Sequence, residues 1–256
     1  MDLGLKGKIT VVTGSTGGIG YASAKRFLEE GARVVLNGRN GVKLGNICKE
    51  LAGEYGDKSI AGFQGDMTEQ EDIARLGAFI RETFGHIDCL VVNVGSGKPV
   101  RSNPLDIEEW LEIFKINLFS AVQLMDALDG LWEQSGSVVM VSSIAGRDVL
   151  SAPPAYAAAK DGIRVFAKYL ADRYAPRGIR VNTVSPGNVL FKGGRWEELL
   201  GKDERGVKAY ISEKVPMRRF AGPEEIADAI AFLSSERASF ITGSNLTIDG
   251  GQKRGI

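Results

Sequence analysis

The run Val138-Val139-Met140-Val141 has no polar side to turn to water, and it is one of seven short apolar, largely β-branched runs along the chain. The others are Ile9 to Thr13, Arg33 to Leu36, Ser59 to Phe63, Cys89 to Asn93, Ile179 to Val184 and Leu246 to Ile248; the run containing Val138 spans Ser137 to Ser142. Strands apolar on both sides need cover on both sides, and helices alternating with them supply it through right-handed crossovers that leave the strands parallel. The expected fold is α/β, a doubly wound parallel seven-stranded sheet with helices on both faces. Such sheets take ligands beyond the carboxyl ends of their strands.

With 256 residues, 43% of them hydrophobic, the chain can bury a full core, and residues 1–256 read as one domain. Thirty-two basic residues balance thirty-two acidic ones, so no global field attracts nucleic acid or an anionic membrane. Cys48 and Cys89 are too few for a disulfide scaffold and lack metal-ligand spacing. The start, Met1-Asp2-Leu3-Gly4-Leu5-Lys6-Gly7-Lys8, has no apolar signal region, and no apolar stretch has the length to cross a bilayer. A soluble, unprocessed cytoplasmic protein is expected. From Asn188 to Pro216 strand-like patterning stops, and Gly193-Gly194, Gly201 and Gly206 punctuate a charged segment carrying Trp196 and Tyr210. A substrate loop or lid is expected at about 188–216.

The chemistry-bearing residues fall at strand ends. Gly14, Gly18 and Gly20 follow the first strand and open a helix, a spacing that lets a pyrophosphate approach a helix N-terminus and makes the sheet Rossmann-type. Tyr156 and Lys160, four apart, share a helix face, where a cation favours phenolate over phenol. Ser143 follows the fifth strand and offers a hydroxyl to a substrate oxygen that Tyr156 protonates. Asn117 is a polar residue among apolar neighbours; it either caps or kinks its helix or positions a water near Lys160. His86, the one histidine, reads as a surface turn residue, so no metal site is expected, and Trp110 and Trp132 read as helix packing.

Together these residues closely resemble the short-chain dehydrogenase/reductase family, in its single-domain branch of about this length. The resemblance runs from Thr13-Gly-x-x-x-Gly-x-Gly20 through Asp66, Asn117, Ser143, Tyr156-x-x-x-Lys160 and Pro186-Gly187 to Phe240-Ile241-Thr242-Gly243 and Ile248-Asp249-Gly250-Gly251. It implies reversible hydride transfer between a nicotinamide cofactor and a carbonyl or alcohol. Tyr156 is then the general acid/base, Ser143 orients the substrate oxygen, Lys160 binds the nicotinamide ribose and lowers the Tyr156 pKa, and Asn117 supports a proton relay. The implied cofactor contacts are Gly14, Ser15, Thr16, Gly18, Ile19, Gly20, Arg39, Asp66, Met67, Asn93, Gly95, Tyr156, Lys160, Pro186, Gly187 and Val189. A two-fold symmetric homotetramer, or a homodimer, is the assembly the family implies.

Three departures stand out. Val92-Asn93-Val94-Gly95 replaces the family's usual Asn-Asn-Ala-Gly, and Phe191 stands near the place of a threonine after Pro186-Gly187. The Ser96-Gly97-Lys98-Pro99 loop and the 190s segment are unlike those of a minimal member. At the end of the second strand, Arg39 follows Gly38 where NAD users tend to carry an Asp, so NADP is expected to be preferred, with NAD possible. Lys98, Lys192, Arg195 and Trp196 are candidate contacts for a substrate bearing a distant carboxylate or phosphate. A 3-oxoacyl-thioester reductase and a reductase or dehydrogenase of a sugar or sugar-derived acid remain open as activities. A non-catalytic cofactor sensor is disfavoured because Ser143, Tyr156 and Lys160 are all present.

Overall fold

The computed structural model describes residues 2–97, 105–133, 135–150 and 152–254. Its strands are β1 (Ile9–Val12), β2 (Arg33–Gly38), β3 (Ile60–Gln64), β4 (Cys89–Val92), β5 (Gly136–Val141), β6 (Ile179–Pro186) and β7 (Asn245–Ile248). They form one parallel sheet in the order β3-β2-β1-β4-β5-β6-β7, with Val11 level with Val35 on one side and Leu90 on the other. The order reverses direction at β1, which opens a crevice between β1 and β4 at their carboxyl ends.

The two-sided burial inferred from β5 is literal. Val138 and Met140 enter one core with Leu76 and Ile80 of α3 (Gln70–Thr83), Leu124 of α5 (Ser120–Leu128) and Ile163 of α6 (Pro154–Tyr174). Val139 and Val141 enter the opposite core with Phe27 of α1 (Gly18–Glu29), Leu44 of α2 (Gly41–Tyr55) and Ile230 of α9 (Pro223–Ser234). Each such side chain contributes roughly 1.5–3 kcal/mol on full burial.

The sequence misplaced some boundaries. β2 runs on to Gly38 and β6 to Pro186, whereas Asp57–Ser59 is a 3-10 turn that delays β3. Trp132 is not on a helix: it lies after the turn Asp129–Leu131, buried against Gly136. The 188–216 segment is helical rather than loop-like, forming α7 (Arg195–Lys202) and α8 (Glu204–Lys214). The Lys202–Glu198 and Lys208–Glu204 pairs, at 2.9 and 2.6 Å, are helix signals of i,i+4 spacing that the glycines obscured. Asp203 caps α8 by accepting the Gly206 N–H at 2.8 Å. Among the described residues, no helix is long and apolar enough to cross a membrane.

Candidate active site

The glycine turn is fastened by two asparagines. Asn93, just past β4, donates from Nδ2 to the carbonyl oxygens of Thr13 and Gly14, both at 3.1 Å, and from its N–H to Thr13 Oγ1 at 3.0 Å. Asn37, buried in β2, accepts the Gly14 N–H at 3.0 Å and donates to the Phe63 and Gly65 oxygens at 3.3 and 3.0 Å. The ends of β1, β2, β3 and β4 are thereby fixed together. Sequence reasoning assigned Asn37 no role; its one signal was a polar residue ending the apolar run Val34-Val35-Leu36.

Beyond the turn, α1 begins with no side-chain cap and no acidic residue in its first turn. Its first N–H groups and the positive end of its dipole suit a phosphate. Gly20 must be bare, because a Cβ there would meet the Gly14 oxygen and lie 2.6 Å from Asn93 Nδ2. Gly18 has φ 55° and carries the Phe191 ring against it, 2.7 Å from where a Cβ would stand. Ser15 is buried and Thr16 packs on Gly38, while Ile19 leans on the core. These residues fit a dinucleotide's pyrophosphate.

Arg39 stands at the rim of a cleft lined by Gln64, Gly65, Asp66, Asp72 and Arg75. Its side chain is 81% exposed, 3.5 Å from Asp66. Burial alone would raise the Asp66 pKa, but hydrogen bonds from Thr68 and the Arg39 charge hold it below the usual carboxylate value. The Met67 side chain is buried in the core, so only its main chain can face a ligand. At the other end of the crevice, the Gly187 N–H donates to the Ile248 oxygen at 2.9 Å, and Val189 pairs with Ala221, fixing the segment after Pro186.

Pro154 at the N-terminus of α6 starts the helix that presents Tyr156 and Lys160. Lys160 is gripped twice by β5 and its extension: Nζ donates to the Val141 oxygen at 2.9 Å, and the Lys160 carbonyl accepts from Ser142 Oγ at 2.7 Å. Burial pushes the Lys160 pKa down to about 8. Nζ lies 5.9 Å from the centre of the Tyr156 ring. Burial raises the Tyr156 pKa, and a hydrogen bond with Ser143 opposes the rise. Ser143 Oγ also accepts the Ala145 N–H at 3.1 Å, which fixes the hydroxyl at the start of a 3-10 turn.

Asn117 lies in a π turn, Lys115–Phe119, between α4 (Ile107–Phe114) and α5. Its amide exchanges two hydrogen bonds with the Ser96 main chain at 3.0 and 3.1 Å and donates to the Ile113 oxygen at 3.0 Å. A widened turn of this kind presents a residue that a regular helix would turn elsewhere. A Cβ on Gly95 would lie 2.7 Å from Lys160 Nζ and 2.8 Å from Asn117 Oδ1, so Gly95 is where the two polar ends converge. Gly97 backs onto the Tyr156 ring.

Arg195 pairs with Glu198 at 3.1 Å, Lys192 is exposed, and Lys98 lies outside the described residues. Trp196 stacks on Tyr210 with ring centres 5.5 Å apart and leans on Phe220 at 5.3 Å. His86 lies between Asp88 and Glu133 at 3.4 and 3.7 Å.

Known proteins are similar to this chain over nearly its whole length. Residues 14–253 match the family model described as enoyl-(acyl carrier protein) reductase. A 3-oxoacyl-[acyl-carrier-protein] reductase of Aquifex aeolicus is 32% identical over 98% of this chain and 99% of its own. A glucose 1-dehydrogenase of Gluconobacter oxydans is 35% identical over 96% of this chain and 91% of its own. The crystal structure of L-sorbose reductase from Gluconobacter frateurii, complexed with NADPH and L-sorbose, superposes with a TM-score of 0.92 at 32% identity, covering 100% of both chains. With this sheet order, this crevice and these matches, the chain belongs to the short-chain dehydrogenase/reductase family of NAD(P)-dependent oxidoreductases.

Proposed function

We propose that residues 1–256 form one cofactor-binding and catalytic unit, an NADP-preferring reductase that interconverts a small carbonyl compound and its alcohol. The observation that carries this reading is the meeting of Ser143, Tyr156 and Lys160 at the mouth of a glycine-lined crevice, with the buried Lys160 ammonium 5.9 Å from the centre of the Tyr156 ring. When bound, the nicotinamide cofactor supplies a hydride to the carbonyl carbon or accepts one from the alcohol. Tyr156 gives its phenolic proton to the carbonyl oxygen as the C–O double bond becomes single, and takes it back in the reverse direction. Ser143 holds that oxygen by a hydrogen bond, and a Tyr156 pKa raised by burial keeps the phenol protonated for reduction. Lys160 contributes positive charge near the phenolate and donors for ribose hydroxyls. Asn117 holds the Ser96 main chain and, with Gly95, shapes the space around Lys160.

Preference for NADP is supported by Arg39, whose exposed guanidinium can meet a 2′-phosphate, and by the NADPH bound to the sorbose reductase. For the substrate we favour a neutral polyhydroxylated carbonyl over an acidic one. The similarity to glucose 1-dehydrogenase and to L-sorbose reductase supports that choice. A 3-oxoacyl thioester is the second reading, favoured by the full-length similarity to the Aquifex protein. Exposed apolar side chains on α4, the π turn, α5 and α6, among them Leu111, Phe119, Val122, Val165 and Tyr169, support a homodimer or homotetramer. Light scattering after size exclusion tests that assembly; a monomer at all concentrations rejects it.

The reaction is tested by nicotinamide absorbance with L-sorbose, D-glucose and ethyl acetoacetate, the last standing for the 3-oxoacyl group, each with both cofactors. Turnover of the sugars above the ester supports the favoured reading, the reverse order supports the second, and no turnover of any carbonyl or alcohol rejects both.

A further inference from the structure

Gln252 lies beyond the last strand, yet it is only 4% exposed. Two carboxylate bonds turn it inward: Asp249 accepts the Gly251 N–H at 2.9 Å and the Lys253 N–H at 2.7 Å. The buried amide then makes two side-chain bonds in opposite directions. Its Oε1 accepts from Asn188 Nδ2 at 2.7 Å, and its Nε2 donates to the Tyr210 hydroxyl at 2.9 Å.

These partners belong to different machinery. Asn188 sits between Gly187 and Val189, and its carbonyl accepts the Ala221 N–H at 2.9 Å, so it is part of the fixed loop at the end of β6. Tyr210 is on α8, and its ring stacks on Trp196 of α7. A buried amide left without its partners is costly, so Gln252 favours the one placement of α7–α8 in which both bonds form.

We propose that Gln252 is a positioning residue, through which the C-terminal segment fixes α7 and α8 against the loop that follows β6 at the carboxyl end of the sheet. It acts on substrate retention rather than on proton transfer, since its bonds reach Asn188 and Tyr210 and not Tyr156 or Lys160. The kinetic part rests on the oxidoreductase reading above; the placement of α7–α8 does not.

The test uses 19F NMR of the full chain carrying 5-fluorotryptophan, whose three tryptophans are assigned by single Trp→Phe variants, beside kinetics with L-sorbose and ethyl acetoacetate. Gln252→Leu should shift or broaden the Trp196 resonance and raise KM about ten-fold while kcat stays within about two-fold. Tyr210→Phe keeps the ring and loses the hydroxyl; it should reproduce both effects, and the double variant should be no worse than either single one. Gln252→Glu can accept from both Asn188 and Tyr210 and should restore the original resonance and KM. An unmoved Trp196 resonance in both Gln252→Leu and Tyr210→Phe, additive effects, or Gln252→Glu as impaired as Gln252→Leu would overturn the proposal. If no carbonyl is turned over, the reaction assignment fails, while the Trp196 resonance still decides the role of Gln252.

Discussion

Lys160 Nζ donates to the main-chain oxygen of Val141 at 2.9 Å, so the ammonium on α6 is held by the carboxyl end of β5. Burial depresses its pKa to about 8 from an ordinary 10.5. Between those values the unfolded chain binds the proton and the folded chain does not, so this group makes stability rise with pH across that window. Below pH 8 both states are protonated and the burial cost is felt in full. The cofactor-free protein should therefore gain about 2 kcal/mol between pH 7.5 and 9.5 relative to Lys160→Met, read from urea unfolding of both proteins. A difference that is flat or falls with pH contradicts this.

Gly95→Ala should cost far more activity than stability. The added Cβ would lie 2.7 Å from Lys160 Nζ and 2.8 Å from Asn117 Oδ1, so it displaces the ends of two functional side chains rather than core packing. A loss in kcat of more than about ten-fold with a Tm change of only a few degrees is expected. An alanine variant with unchanged kcat would show that neither side chain needs its place.

Gly18→Ala should impair cofactor binding. The residue has φ 55°, and its Cβ would press on the Phe191 ring at 2.7 Å, so the start of α1 must distort. Titration of NADPH fluorescence should give a Kd raised about ten-fold or more, with partial recovery in Gly18→Ala/Phe191→Ala. Recovery to wild-type affinity would put the whole effect on the ring; none would put it on the backbone.

Arg39→Ala should narrow the ratio of kcat/KM for NADPH over NADH by about ten-fold or more, since a guanidinium has a bidentate target only on the 2′-phosphate. Added salt should lower the ratio in the unmodified enzyme, because the side chain is 81% exposed. Equal use of both cofactors by the unmodified enzyme contradicts the NADP preference.

The architecture was legible because two-sided apolar strands such as Val138 to Val141 admit few folds, and because Gly14, Gly18, Gly20, Tyr156 and Lys160 keep a spacing that chemistry demands. What escaped was held by tertiary contacts between distant segments. Asn37 ties three strand ends with its side chain, and nothing beside it in sequence shows Phe63 or Gly65. The π turn at Asn117 depends on bonds to Ser96, twenty-one residues away. The helices of the 188–216 segment were hidden by glycines that read as loop signals. For the candidate substrate residues, the charge of Arg195 was visible, whereas its pairing with Glu198 needed the helix.

The most direct test of the central claim is kcat for Tyr156→Phe, which removes the transferable proton and keeps the ring. The account predicts a loss of at least about a hundred-fold in turnover with NADPH affinity, measured separately by fluorescence, changed by less than about three-fold. Near-normal kcat in the phenylalanine variant would contradict it, because proton transfer would then have to come from a group other than Tyr156.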